Sequence, residues 1–412
     1  MTPAATNKKD GPPKASFLRH TNTRRESENR KCRFSTLVFE RESGDINRVL
    51  RKTYFGALFS VLFVAASYAQ SPTTAHRPIV EVTPSKTVAA PVPAKAFKRW
   101  VDIEGLAVST RYRYVENAAG VITNNQNQYQ VNARARFKFD REGRYSVYAG
   151  LFSGNNLTSG WANTGIGTGS PQGDVFLKQL YFDAKPVKWL QVQVGGIGAN
   201  NGENSEITGY DNDVYLTGER VVVRRPKNLY FDEISVTNAY IGDITRPNVF
   251  RRFKNFGRSN YHQLLVRKQV NKRVGFSADY TFEAGTDTLR QAVKISAPEA
   301  KIFDILHFEN YQRVDPDKGY GFSLWGEKVI RKKLNLSGGF AHIDRTMFNA
   351  DRFPRGNRFF IGAAYKLTRE LTLNPVLIQA VGPLDAPSLP RTRLDLILTF
   401  NVLETLRRMK VY

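Results

Sequence analysis

Cysteine is nearly absent: Cys32 is the only one among 412 residues, which also hold only three methionines and five histidines. One thiol closes no intrachain disulfide and builds no thiolate metal cluster, so neither device holds this fold together. Long apolar runs are missing as well. The most apolar stretch, Tyr54 to Ala66, is thirteen residues long, whereas a membrane-spanning helix needs about twenty. No GxSxG or HExxH sequence is present, which removes the commonest hydrolase signatures. Acidic residues are in deficit, 37 Asp+Glu against 61 Lys+Arg, for a net charge of +24. Such an excess often marks nucleic-acid binding, but zinc spacing, a basic heptad helix and an RNP-type strand are all missing, so nucleic acid is not an expected partner.

What is present begins with a processing signal. Arg48, Arg51 and Lys52 precede the apolar run, and Ser67-Tyr68-Ala69 follows it. This is the order of charged, apolar and small residues in a secretory signal, with cleavage expected after Ala69. Residues 48–69 are therefore read as a signal peptide. Residues 1–47 are polar, basic and without hydrophobic periodicity; they are expected to be a gene-model extension or a disordered n-region. Residues 70–99, rich in Pro, Ala, Thr and Val, read as a linker with no core of its own. The folded part is expected over 100–412.

From Trp100 onward the dominant pattern is a period of two. Tyr129, Val131, Ala133, Ala135, Phe137 and Phe139 share one parity, and Gln128, Gln130, Asn132, Arg134, Arg136, Lys138 and Asp140 share the other. Successive strand side chains point to opposite faces, so this segment is a strand with one apolar and one cationic face. Asp140 to Gly143 reverses the chain, and Tyr145, Val147, Ala149 and Leu151 resume the alternation. The same pattern recurs at Val274 to Phe282, Phe359 to Leu367 and Leu394 to Val402. About sixteen such segments, within a range of fourteen to eighteen, are expected. Short reversals alternate with longer connections rich in Gly, Asn, Asp, Ser and Pro: Glu116 to Asn127, Gly154 to Gly173, Gly198 to Thr217, Asp243 to Asn260, Ile343 to Asn357 and Gly382 to Pro390.

Alternation alone also suits a soluble sandwich. Strand length, loop asymmetry and the secretory signal together favour a bilayer, where no sheet edge can stay unpaired and the strands must close into a barrel. In these features the chain resembles the bacterial outer-membrane porins. The resemblance is architectural and covers Trp100 to Tyr412. It implies an all-β, transmembrane, antiparallel up-and-down barrel with short periplasmic turns and long outer loops. It further implies an outer-membrane location, contact with lipid and lipopolysaccharide, insertion by the barrel-assembly machinery, and a possible homo-trimer. The implied function is passive diffusion of small hydrophilic solutes. An arginine-rich lumen suggests the anion-preferring or alginate-export-like types and acidic sugars. One departure is the last strand, where Arg408 and Lys410 share the parity of Tyr412, so the strand either ends near Leu403 or carries an altered assembly signal. An outer-membrane hydrolase and an occluded structural or adhesive barrel are the alternatives.

The candidate pore-lining residues are Arg134, Arg136, Lys138, Arg273, Arg290, Lys294, Arg358, Lys366 and Arg393, all on the inferred lumen parity; cations there draw anions inward. Arg246, Arg251, Arg252, Lys254 and Arg258 alternate with Phe250, Phe253 and Phe256, either in a loop folded into the lumen or in an outer loop meeting lipopolysaccharide phosphates. Phe139, Tyr145, Tyr181, Phe182 and Trp189 are candidates for interfacial girdles. No catalytic residue, metal or cofactor is expected. His342 with Asp344 reads as a hydrogen-bonded pair at the rim, and Asp211-Asn212-Asp213 fits no EF-hand spacing.

Overall fold

A computed structural model describes residues 100–166, 174–205, 207, 214–225, 229–347 and 353–410. The signal, the linker, Asp211 to Asp213 and Tyr412 lie outside the described residues. The strands are β1 (Val101–Asn117), β2 (Ile122–Lys138), β3 (Tyr145–Ser153), the two-residue β4 (Gly165–Ile166), β5 (Val175–Val187), β6 (Leu190–Gly198), β7 (Tyr215–Arg224), β8 (Glu233–Tyr240) and β9 (Tyr261–Gln269). They continue with β10 (Val274–Glu283), β11 (Thr286–Ser296), β12 (Ile305–Arg313), β13 (Gly319–Ile330), β14 (Leu334–Ile343), β15 (Gly356–Lys366), β16 (Leu371–Ala380) and β17 (Pro390–Asn401). Short helices α1 (Val249–Phe253) and α2 (Val402–Arg408) complete the elements.

Apart from the bridging piece β4, each strand pairs antiparallel with its two sequence neighbours, and β1 pairs with β17, from Ala107↔Asn401 to Asn117↔Pro390. That last ladder closes sixteen strands into a barrel. Closure removes the free edge whose unpaired N–H and C=O groups no bilayer core can satisfy.

The barrel is polar inside and apolar outside. Ser109, Arg111, Asp183, Arg220, Gln263, Asp279, Glu309 and Asp395 are buried, while Phe137, Leu151, Phe308, Leu324, Ile361, Leu396, Leu398 and Phe400 are exposed. Register carries this division across strands: Arg113↔Asp395, Asp279↔Arg290 and His307↔Trp325 are inward pairs. A soluble protein seldom exposes a contiguous apolar patch beyond a few hundred Å², so this outer band is built for hydrocarbon. At the short-turn end Phe182 lies 6.3 Å from Phe139 and 6.4 Å from Tyr145, an outward aromatic patch of the girdle kind. Tyr181 departs from that expectation: it turns inward and stacks on Tyr148 at 4.7 Å.

One boundary differs from the sequence reading, and a second takes the first of its two expected forms, a strand that ends near Leu403. Glu116 to Asn127 is mostly strand, because β1 and β2 pair out to Glu116↔Ile122 and leave a tight turn whose Ala119 and Val121 N–H groups donate to Asn117 Oδ1 at 3.0 and 2.9 Å. The final strand stops at Asn401, whose side chain accepts from Glu404 N at 3.3 Å and so starts α2. Such a side-chain cap satisfies a helix N–H that would otherwise be orphaned.

Candidate pore and its loops

The described residues of the connection between β6 and β7 (199–205, 207 and 214) lie along the inner wall. Glu203 N donates to Ser277 Oγ at 2.8 Å, Gln263 Nε2 donates to Asn200 O at 2.8 Å, and Arg267 pairs with Glu203 at 2.6 Å. Further along, Ile207 packs into a buried cluster with Tyr311, Ile343, Phe360 and Ile378 from β12, β14, β15 and β16, together with Met347 and Phe353. The connection thus reaches from β9 and β10 to the wall formed by β12 to β16. Gly202 makes the close approach possible: its φ is +61°, and a Cβ there would meet Ser277 Oγ at 2.8 Å.

The arginine- and phenylalanine-rich connection lies elsewhere. Asn248 caps α1 by accepting from Phe250 N at 3.0 Å. Val249 is fully buried, and a Cβ on Gly196 would meet its Cγ2. Arg252 is buried too, donating to Thr217 Oγ1 at 3.2 Å and to the carbonyls of Tyr240, Ile241 and Asp243. Gly196 and Thr217 carry the parity opposite to inward Gln193 and Arg220, so α1 seats on the outward side of β6 and β7. β5 and β6 pair no further up than Leu180↔Gly196, and α1 covers that end. Burial pushes the Arg252 pKa down to about 10, which leaves it charged at neutral pH. Asp243 is held below the ordinary carboxylate range, first by the Thr245 hydroxyl and then by the Thr245 N–H. Arg246 pairs with Asp243 at 3.0 Å, while Arg251, Lys254, Arg258, Phe250 and Phe256 are exposed.

The nine candidate lining residues have different surroundings. Arg136 pairs with Glu104 at 2.8 Å and Lys138 with Asp102 at 2.6 Å. Arg290 is buried against Asp279 at 3.0 Å, and buried Arg358 donates to the carbonyls of Pro354 and Arg355. Arg273 and Lys366 are exposed near the short-turn rim, Arg273 pairing with Glu299 at 2.6 Å. Arg393 joins Arg113 on Asp395, at 2.7 Å each, with Arg111 at 3.9 Å. Among the described residues Arg134 and Lys294 have no carboxylate partner. Arg134 lies over the Phe152 ring at 5.2 Å, and its buried Nε has no hydrogen-bond partner.

Arg111, Arg113, Arg134 and Arg393 with the single Asp395 line a cavity of about 470 Å³, which Trp161 also borders, 4.2 Å beneath the Arg111 guanidinium. Arg111 and Arg113 are absent from the sequence-derived set. Their signal was there: in Arg111-Tyr112-Arg113-Tyr114 the arginines take one parity and the aromatics the other.

No family model matches the chain, and no curated protein matches it. Among solved structures, a Salmonella typhi OmpF complex with daunomycin superposes at a TM-score of 0.50 and 9% identity, over 73% of this chain and 97% of that one. The fold is that of the porins. A Pseudomonas putida OprB structure aligns at a TM-score of 0.48 and 12% identity over 74% of this chain and 94% of its own, and a Rh. blastica porin mutant at 0.46 and 11% over 73% and 99%.

On this porin barrel the His342 ring is engaged at both nitrogens, Nε2 with Asp344 Oδ1 at 3.0 Å and Nδ1 with Asn357 Oδ1 at 2.7 Å. Among the described residues no cluster of three His, Cys, Asp or Glu side chains stands ready for a metal.

Proposed function

We propose that the chain is a passive outer-membrane channel for small hydrophilic solutes, with a preference for anions. The observation that carries the reading is the arginine cavity, where four guanidiniums face one carboxylate inside a closed barrel whose outer surface is apolar. Like charges gathered in a confined aqueous path raise the local concentration of counter-ions and exclude co-ions. Residues 48–69 act in this reading as the export signal, with cleavage after Ala69, and the barrel meets lipid and lipopolysaccharide in the outer membrane after insertion by the assembly machinery, alone or as a trimer. Charge alone admits inorganic anions and acidic sugars alike. An enzyme reading has less to stand on, since His342 already holds fixed partners at both nitrogens.

The test is a planar bilayer with a salt gradient. Stepwise KCl conductance with a reversal potential of the sign for chloride preference supports the reading. Cation selectivity removes the anion preference, and no conductance at all turns the reading to an occluded structural barrel.

A further inference from the structure

The arginine cavity is one half of a two-sided lumen. A second cavity of about 550 Å³ lies between the inward connection and the wall of β13 to β16, and it is bordered by Ile207, Trp325, Phe353, Phe360 and Val376. Both volumes fall in the range of about 300–1,000 Å³ common for small-molecule sites. Asn335, Ser337, Gly362 and Val376 line both cavities, so the two are neighbours across a narrow strip of small and polar side chains. Gly362 keeps that strip low, since a Cβ there would press on Ser337 Oγ at 3.0 Å.

The apolar side is rigid. Trp325 stacks on His307 at 4.1 Å and donates its indole N–H to Glu309 at 3.0 Å, and Phe353 meets Phe360 edge to face at 5.1 Å. Fixed rings offer contact area with little entropy left to lose. Glu327 also borders this cavity and accepts from Asn335 Nδ2 at 3.0 Å. Its negative charge repels a second carboxylate from the aromatic end and favours the arginine end. There Arg134 presents a guanidinium with no ion-pair partner among the described residues and a buried N–H without an acceptor, a group that gains most from an incoming oxyanion.

We infer that this channel selects monocarboxylates with an apolar, preferentially aromatic, body: ring against Trp325 and Phe360, carboxylate on Arg134. The inference rests on the channel reading and narrows its solute class. A sugar acid, with hydroxyls on every side, leaves the aromatic wall unmatched, and an inorganic anion uses only the arginine side.

The test uses the full barrel in planar bilayers, with benzoate and galacturonate as probes at equal concentration against a KCl background. The expected result is benzoate current that saturates, and partial block of KCl current by benzoate, while galacturonate does neither. Arg134→Gln weakens the half-saturating benzoate concentration roughly tenfold, the loss expected for one charge-assisted hydrogen bond. Phe360→Ala lowers benzoate block. Benzoate and galacturonate currents in the ratio of their free mobilities, with intact KCl conductance, overturn the inference and spare the channel. Unchanged benzoate block in both variants also overturns it. Absence of KCl conductance removes the channel reading and this inference with it.

Discussion

The connections after β6 and after β8 are close in sequence and take opposite sides of the same wall. The first, from Ala199 to Val214, is rich in Asn and Gly and fastens to Ser277, Gln263 and Arg267 on the inside. The second, from Ile241 to Asn260, holds the conspicuous run of arginines and phenylalanines and fastens to Thr217 and Gly196 on the outside. Charge density in a loop therefore does not determine its side; the acceptors and small residues offered by each face of the wall do. Arg252 donates to four acceptors, three of them carbonyls at the upper end of β8 and just beyond it. The inner loop needs only a close backbone approach, which Gly202 permits.

That contrast can be broken from either side. The largest effect is expected from Gly202→Val, which places a β-branched residue at positive φ against Ser277 and costs on the order of 1–2 kcal/mol in backbone strain before any clash is counted. Limited proteolysis would then cut within 199–214, and single-channel conductance would rise. Arg252→Met leaves the Tyr240, Ile241 and Asp243 carbonyls without their donor, at about 1–3 kcal/mol. Cleavage would appear in the outer loop, with conductance unchanged. Glu203→Gln removes a partly exposed ion pair worth about 0–1 kcal/mol, and is expected to add noise to the open-channel current without changing its mean. The smallest effect concerns pH. Asp243 has a folded pKa below its unfolded one, so the stability it gives the outer loop is present above the ordinary carboxylate range near 4 and is lost as pH falls through the lowered value. Asp243→Asn should flatten the acid-side rise in outer-loop proteolysis.

The architecture was legible because one physical constraint repeats on every strand. Leu394, Leu396, Leu398 and Phe400 alternate with Arg393, Asp395, Ile397 and Thr399, and the barrel turns those two sets outward and inward as the period requires. Reading failed where the constraint is local or distant. Asn124 to Asn127 looks like a loop by composition, yet it pairs with β1 residue by residue. Val402 continues the apolar parity of β17 but falls in α2, because Asn401 caps the helix. The side chosen by each loop was beyond reach, since Glu203 meets Arg267 and Ser277 more than sixty positions away. Charge at the candidate site was half legible: Arg134 and Arg393 were found by parity, while the neutralisation of Arg290 by Asp279 and the use of Arg358 to hold a loop carbonyl appear only once register is fixed.

The most direct test replaces residues 200–205 by a Gly-Gly link in one variant and 250–256 by the same link in another, and compares their single-channel KCl conductance with that of the intact barrel. The inward placement of the first loop predicts a clear rise for the first variant and no change for the second. Equal conductance in all three, or a rise confined to the second, would contradict it.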